Sequence, residues 1–234
     1  MSVTHVALSI SVATGLYAVS FGALAVAAGF SVAQTMALSL LMFTGGSQFA
    51  FIGVIGAGGA GSAAFGAASL LGVRNALYGA QINRLLRPRG WLKLASAQLT
   101  IDESTATASS QQRSEDQRLG FWLTGLGIYV LWNLFTLVGA LLGDALGEPR
   151  RWGLDGAAVA AFLGLLWPRL YAREPVILAI VCALVTVLAL PWLPPGLPIL
   201  LAATVAATWG LLRTKSAGGH APMPFADAKA EHGQ

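Results

Sequence analysis

The sequence predicts an all-α protein: a polytopic bundle of transmembrane helices, with about seven spans plus a short or re-entrant helix. Three observations predict it. Only 24 of the 234 residues are charged, where a soluble domain carries roughly a quarter. From Met1 to Val73 there is no Lys, Arg, Asp or Glu, in a length that would hold roughly eighteen in a soluble chain. The apolar share is 56% and the mean hydropathy +0.68. No water-soluble enzyme can cover its surface with that composition. The pattern argues against a barrel, because the apolar runs are continuous and do not alternate. At about 20 residues per crossing, the chain accommodates six to eight spans and no soluble catalytic or ATP-hydrolysing domain.

The elements follow in order. Residues 1–8 are too short for a cleaved signal and lack a basic leader. A first helix is expected over Ser9–Phe30. A second is expected from Ala33 to about Ile55, interrupted by Gly45-Gly46-Ser47-Gln48. Glycine pairs survive in membrane helices where neighbours or water satisfy the freed backbone. A third helix covers about Ala60 to Gln81, with Arg74 and Asn75 inside it. Arg84, Arg87, Arg89 and Lys93 then make a basic connection, cytoplasmic by the positive-inside rule. Leu94–Ser110 is moderately polar and reads as a short or re-entrant helix, followed by a hydrophilic loop over Gln111–Arg118.

Four further spans are expected at about Leu119–Leu142, Leu154–Leu170, Val176–Leu193 and Leu197–Leu212. Pro191, Pro194, Pro195 and Pro198 stiffen the last connection. If 94–110 does not cross, Arg113/Arg118, Arg169/Arg173 and Arg213/Lys215 join the basic loop inside and only Arg150/Arg151 lies outside. The N-terminus is then outside and the C-terminus inside. One membrane domain covers 1–215, and the Gly/Ala/Pro-rich tail at 216–234 is expected to be disordered. Cys182 stands alone, and His5, His220 and His232 lie near the chain ends. Neither a disulfide, a metal site nor a cofactor is called for, and nothing supports nucleic-acid binding.

Few residues in such a chain can carry chemistry. An arginine at mid-depth costs several kcal/mol and normally faces a partner or a water cavity. Arg74, Tyr78 and Gln81 share one helical face, with Asn75 beside them. Alternatively, Arg74 snorkels to the headgroups. Asp102 and Glu103 are its natural counter-charges. Ser96, Thr100, Glu103 and Thr107, at helical spacing, predict one polar face. A carboxylate in a poorly solvated cavity can exchange a proton near neutral pH, as a proton-coupled transporter requires. A solvated interfacial helix is the alternative.

Gly45-Gly46-Ser47-Gln48 predicts a broken helix, whose exposed backbone and half-helix dipoles can hold a substrate's charged groups. Close helix packing through small residues is the competing reading. Tyr129, Asn133 and Thr136 form another polar face, with Asn133 expected in an interhelical hydrogen bond. Trp122, Trp152, Trp167 and Trp192 read as interface anchors, and Ala57–Ala68 as a packing face.

Two segments together resemble a known family. Gly15-Leu16-Tyr17-Ala18-Val19-Ser20-Phe21-Gly22-Ala23-Leu24-Ala25 and Ser39-Leu40-Leu41-Met42-Phe43-Thr44-Gly45-Gly46-Ser47-Gln48-Phe49-Ala50 look like the N-terminal signature of the AzlC/YgaZ permeases. Val73-Arg74-Asn75-Ala76-Leu77-Tyr78-Gly79 and Leu99-Thr100-Ile101-Asp102-Glu103 resemble its later motifs, in the same order. The resemblance spans about residues 10–215. It implies a bacterial inner-membrane exporter of branched-chain amino acids, in some members methionine, driven by the proton gradient. It also implies a separate small membrane partner of the AzlD/YgaH type.

On this reading Gly45, Gly46, Ser47, Gln48, Arg74, Asn75 and Tyr78 hold the substrate. Asp102 and Glu103 hold its ammonium or carry the proton, and Phe43, Phe49 and Phe51 line an apolar pocket. A passive channel would instead need a continuous polar pore. A membrane-embedded enzyme would need a metal or paired-aspartate motif that the sequence lacks.

Overall fold

A computed structural model describes residues 2–146, 163, 166, 167, 170–194 and 196–216. These residues are helical, with no strand among them. The helices are α1 (Val3–Ala27), α2 (Val32–Leu41), α3 (Gly45–Gly56), α4 (Gly61–Leu86), α5 (Trp91–Gln98), α6 (Asp102–Ser109), α7 (Ser114–Leu146), α8 (Arg173–Ala189) and α9 (Leu197–Ser216). Most of the expected span at 154–170, the Arg150/Arg151 loop, Arg169, Trp152, Pro195 and the tail beyond residue 216 lie outside the described residues.

Among the described residues two helices, α1 and α7, are both long and apolar enough to cross a membrane, and they form the spine. Glycines on both let the backbones meet. A methyl group added at Gly15 would fall 2.7 Å from Leu131 Cβ, and one at Gly143 3.0 Å from the Ala23 Cα. At Gly22 and Gly139 it would collide with the Thr136 and Val19 carbonyls. Close approach through small residues is how apolar helices associate where lipid removes the hydrophobic drive. The contacts run Val3–Gly120, Ser11–Gly127, Gly15–Leu131 and Ala23–Gly143, so the two helices are parallel. Away from this seam, Leu126, Val130, Leu134 and Leu141 are exposed on α7. That apolar outer stripe suits lipid.

The second apolar segment departs from expectation. It does not traverse the bundle. It enters as α2, breaks at Met42-Phe43-Thr44, and returns as α3 to the end it came from. A methyl group on Gly56 would lie 3.1 Å from Ala28 Cβ, and the Phe51 and Phe30 rings are 6.1 Å apart. Thus α2–α3 is a re-entrant hairpin, with α2 against α7 and α3 against α4. The break lies just before the glycine pair rather than within it. Along α4 the small residues Ala63, Ala64, Ala67 and Ala68 are buried, the first three clustered with Val54 and Ala50 of α3, in keeping with the packing face expected at Ala57–Ala68.

α4 then runs to the opposite end, where the Arg118 guanidinium of α7 donates to the Leu86 carbonyl (3.3 Å). The stretch read as one helix at 94–110 belongs to two eight-residue helices, α5 starting earlier at Trp91 and α6 ending at Ser109, separated by Leu99-Thr100-Ile101. They form a second hairpin, entering from the basic end and returning to it. Gln98 reaches the Leu40 carbonyl (2.9 Å) at the inner tip, and Ser109 meets Gln81 (2.9 Å) near the base.

Three corrections follow. The Ser96/Thr100/Glu103/Thr107 stripe is divided by the α5–α6 break and is not one helical face. Thr100 and Thr107 donate instead to the carbonyls of Ser96 and Glu103. The N-terminus shares an end with the basic link, because α1 and α4 alone run the full length between them. The expected hydrophilic loop at 111–118 is also shorter, since α7 begins at Ser114.

α8 and α9 form a separate antiparallel pair, joined by the proline-bearing turn. Cys182 meets the Ala202 carbonyl, and Glu174 is paired with Arg213. Leu200 and Gly196 place α9 beside the first turns of α4.

Candidate functional site

The tips of the two hairpins meet halfway along α1, α4 and α7, and there they enclose a cavity of about 660 Å³. The polar wall is made by Gly45 and Gly46 of α3, Arg74 of α4, and Asp102 and Glu103 of α6. The apolar wall is made by Phe43, Phe49, Ile101, Ile128 and Trp132, with Tyr17 and Thr14 from α1. The volume lies within the about 300–1,000 Å³ usual for small-molecule sites, and so does the pattern of apolar lining with few polar groups.

Two half-helices begin at this point, which governs its electrostatics. α3 starts at Gly45 with no side-chain cap and no acidic residue in its first turn. Its leading N–H groups carry the positive end of the helix dipole. α6 starts at Asp102 and places two carboxylates, Asp102 and Glu103, on its own first turn, which suits its dipole. Arg74 stands between them, with Nη1 2.9 Å from Asp102 Oδ2 and both side chains about one-third exposed (32% and 31%). Arg74 sits at the middle of α4, so the pairing with Asp102, not snorkelling, accommodates its charge. Arg74 Nε and Asp102 Oδ1 are buried without a partner among the described residues.

The glycines at the α3 start are required by what approaches them. A methyl group on Gly46 would sit 3.2 Å from Arg74 Nη2, and one on Gly45 2.9 Å from the Trp132 ring. A side chain at Gly45 would force the indole to shift, and one at Gly46 would crowd the guanidinium at the helix end.

The remaining candidates lie elsewhere. Gln48 is fully buried and turned away from the cavity. Its amide donates to the Met42 carbonyl (2.7 Å) and the Leu38 carbonyl (3.3 Å), while its oxygen accepts from Trp132 Nε1 (3.0 Å). It adds a second donor to the carbonyls at the end of α2, which also accept the Thr44 and Met42 N–H groups, and it positions the indole that walls the site. Ser47 donates to the Ala68 carbonyl (2.8 Å) and holds α3 to α4. Asn75 and Tyr78 are half-buried on α4 and do not line the cavity. Phe51 packs against Phe30, apart from Phe43 and Phe49.

On α7, Tyr129 donates to the Leu40 carbonyl and Ser39 to Thr136 Oγ1 (3.2 Å), tying α2 down. Asn133 was expected to bridge helices, yet its amide bonds the Tyr129 carbonyl of its own helix (2.7 Å). An adjacent intrahelical carbonyl is always within reach of such a side chain.

Sequence reasoning about individual side chains missed Thr14, Tyr17, Ile128 and Trp132. The signal for the first two was present: a hydroxyl and a phenol three residues apart in a charge-free helix. Tyr17 stacks on Phe49 (centroids 5.0 Å apart) and meets Trp132 edge-on (6.0 Å). Nothing local distinguishes Ile128 or Trp132 from other apolar residues of α7.

No curated protein and no solved structure matches the chain. The family profile described as AzlC protein matches residues 9–146. That stretch contains most of α1, all of α2 to α7, both hairpins and every residue that lines the cavity. On that match over more than half its length, the chain belongs to the AzlC family of transport-related membrane proteins.

Proposed function

We propose that this protein is a multi-pass permease of a bacterial inner membrane that exports branched-chain amino acids, with the mid-bundle cavity as its substrate site. The observation that carries this reading is the divided chemistry of that cavity. A cationic end, formed by the uncapped start of α3 and Arg74, faces an anionic end formed by Asp102 and Glu103. A wall of Phe43, Phe49, Ile128 and Trp132 lies alongside. A zwitterion with an aliphatic side chain has complementary charges and shape. Its carboxylate would take the α3 N–H groups and Arg74, as broken-helix carriers hold such groups. Its ammonium would take Asp102 or Glu103.

The site carries two carboxylates against one guanidinium. One additional positive charge, from substrate or proton, balances it, and this supports coupling export to the proton gradient. The hairpins enter from opposite ends of the bundle. Displacing one tip at a time would open the cavity to one side and then the other. A small AzlD/YgaH-type subunit is the proposed partner, and residues 1–215 are the proposed permease domain.

The test is efflux of loaded valine, isoleucine and methionine from cells expressing the chain with and without that partner. Partner-dependent efflux that collapses with the proton gradient is expected, as is its loss in Arg74→Ala. Efflux by a normally inserted Arg74→Ala protein would remove the role assigned to Arg74. Efflux indifferent to the gradient would favour a passive channel.

A further inference from the structure

At the basic end of the bundle, far from the mid-bundle cavity, lies a second concavity of about 420 Å³. It is walled by Arg87, Arg89, Arg118, Leu92 and Trp122. Three elements build it: the α4–α5 link, α5 and the first turns of α7. Three of its walls carry guanidinium groups and none carries a carboxylate. Among the described residues no acid is ion-paired with Arg87, Arg89 or Arg118. Arg118 is held by the Leu86 carbonyl, and Arg87 adopts the left-handed backbone that ends α4 (φ +46°), a conformation rare outside glycine. The geometry of the link is therefore fixed and its charges are left unneutralised.

The surroundings decide what neutralises them. Next to the arginines, α5 presents Trp91 and Leu94, 74% and 76% exposed, to the outside of the bundle. Exposed tryptophan and leucine beside arginine mark the boundary between hydrocarbon and headgroups. An anion arriving here would have oxygens for the guanidinium forks and an acyl chain for the apolar flank. Guanidinium groups match phosphate oxygens bidentately, and basic pockets between membrane helices suit anionic headgroups.

We propose that this concavity binds the phosphate of an anionic phospholipid, drawn from the leaflet at the basic end, with Arg87 and Arg89 as its main ligands. The α4–α5 link joins the helix that carries Arg74 to the hairpin that carries Asp102. The lipid would sit where the two halves of the central ion pair are connected.

The test titrates phosphatidylglycerol and phosphatidylcholine into the detergent-solubilised full chain and reads bound lipid by native mass spectrometry and by thermal stabilisation. The expected result is a clear preference for phosphatidylglycerol. Arg87→Gln/Arg89→Gln should reduce that affinity by roughly thirtyfold, the factor expected for two arginines at an anionic surface. Arg118 is left intact because it also holds Leu86. Arg84→Gln/Arg113→Gln removes the same charge outside the concavity and should cost far less. Equal losses in the two double variants, or no lipid preference in the parent, would overturn the proposal. So would displacement of the lipid by millimolar inorganic phosphate, which would assign the pocket to a free anion.

Discussion

Replacing Gln48 with Leu tests how the first hairpin is held. Gln48 is fully buried and makes three hydrogen bonds: donating to Met42 and Leu38, accepting from Trp132. Leucine matches the volume but strands the Trp132 N–H, while the Met42 and Leu38 carbonyls keep the backbone N–H groups of Thr44 and Met42. A buried donor left unsatisfied costs about 1–3 kcal/mol and a lost hydrogen bond about 1, so roughly 2–3 kcal/mol is expected in total. For a chain of this size that corresponds to a fall of roughly 5–10 °C in Tm, measured by thermal unfolding in neutral detergent.

Trp132→Phe removes the other partner and strands the glutamine oxygen. The double variant strands neither of that pair. It should be less damaged than the two single costs imply, by about 0.6–1.7 kcal/mol, the range found for hydrogen bonds between membrane helices. Simple additivity, within about 0.3 kcal/mol, would refute the claim that this bond locks the hairpin tip.

Further outcomes follow from the same geometry. Asp102→Asn should abolish transport while leaving membrane insertion normal, since it removes the partner of a half-buried Arg74; transport assayed beside surface expression checks this. Gly46→Val should displace the Arg74 guanidinium and eliminate substrate binding, whereas Gly53→Val, with nothing within 4 Å, should be tolerated; binding assays on the two purified variants decide. Phe49→Ala should change substrate preference because the ring lines the cavity, and Phe51→Ala should alter stability alone. Gly139→Leu should prevent α1 and α7 from meeting at Val19, visible as loss of folded protein in detergent.

The sequence by itself determined the class of protein, because 73 residues without a charge cannot face water. It also placed a helix interruption next to Gly45-Gly46, but presented 94–110 as one helix and did not show the α5–α6 break. Near Phe43-Thr44-Gly45-Gly46 one helix ends and the next begins for a local reason, and local pattern reports local conformation. Asp102 and Glu103 were legible as the natural counter-charges of Arg74, and the structure selected Asp102 over snorkelling to the headgroups.

What tertiary structure alone decided is direction. Residues 33–55 are long enough to cross, at about 20 residues per span, and neither length nor hydropathy separates a kinked span from a hairpin that turns back. The outcome depends on which partners the freed backbone groups at the break can reach. Here Gln48 and Tyr129 take the α2 carbonyls, and small residues on α4 accept α3. The same dependence moved Ser47 and Gln48 out of the cavity and brought Tyr17 and Trp132 into it. A side chain's role at a broken helix is fixed by the face it shares with distant helices, and that face is not written in its neighbours along the chain.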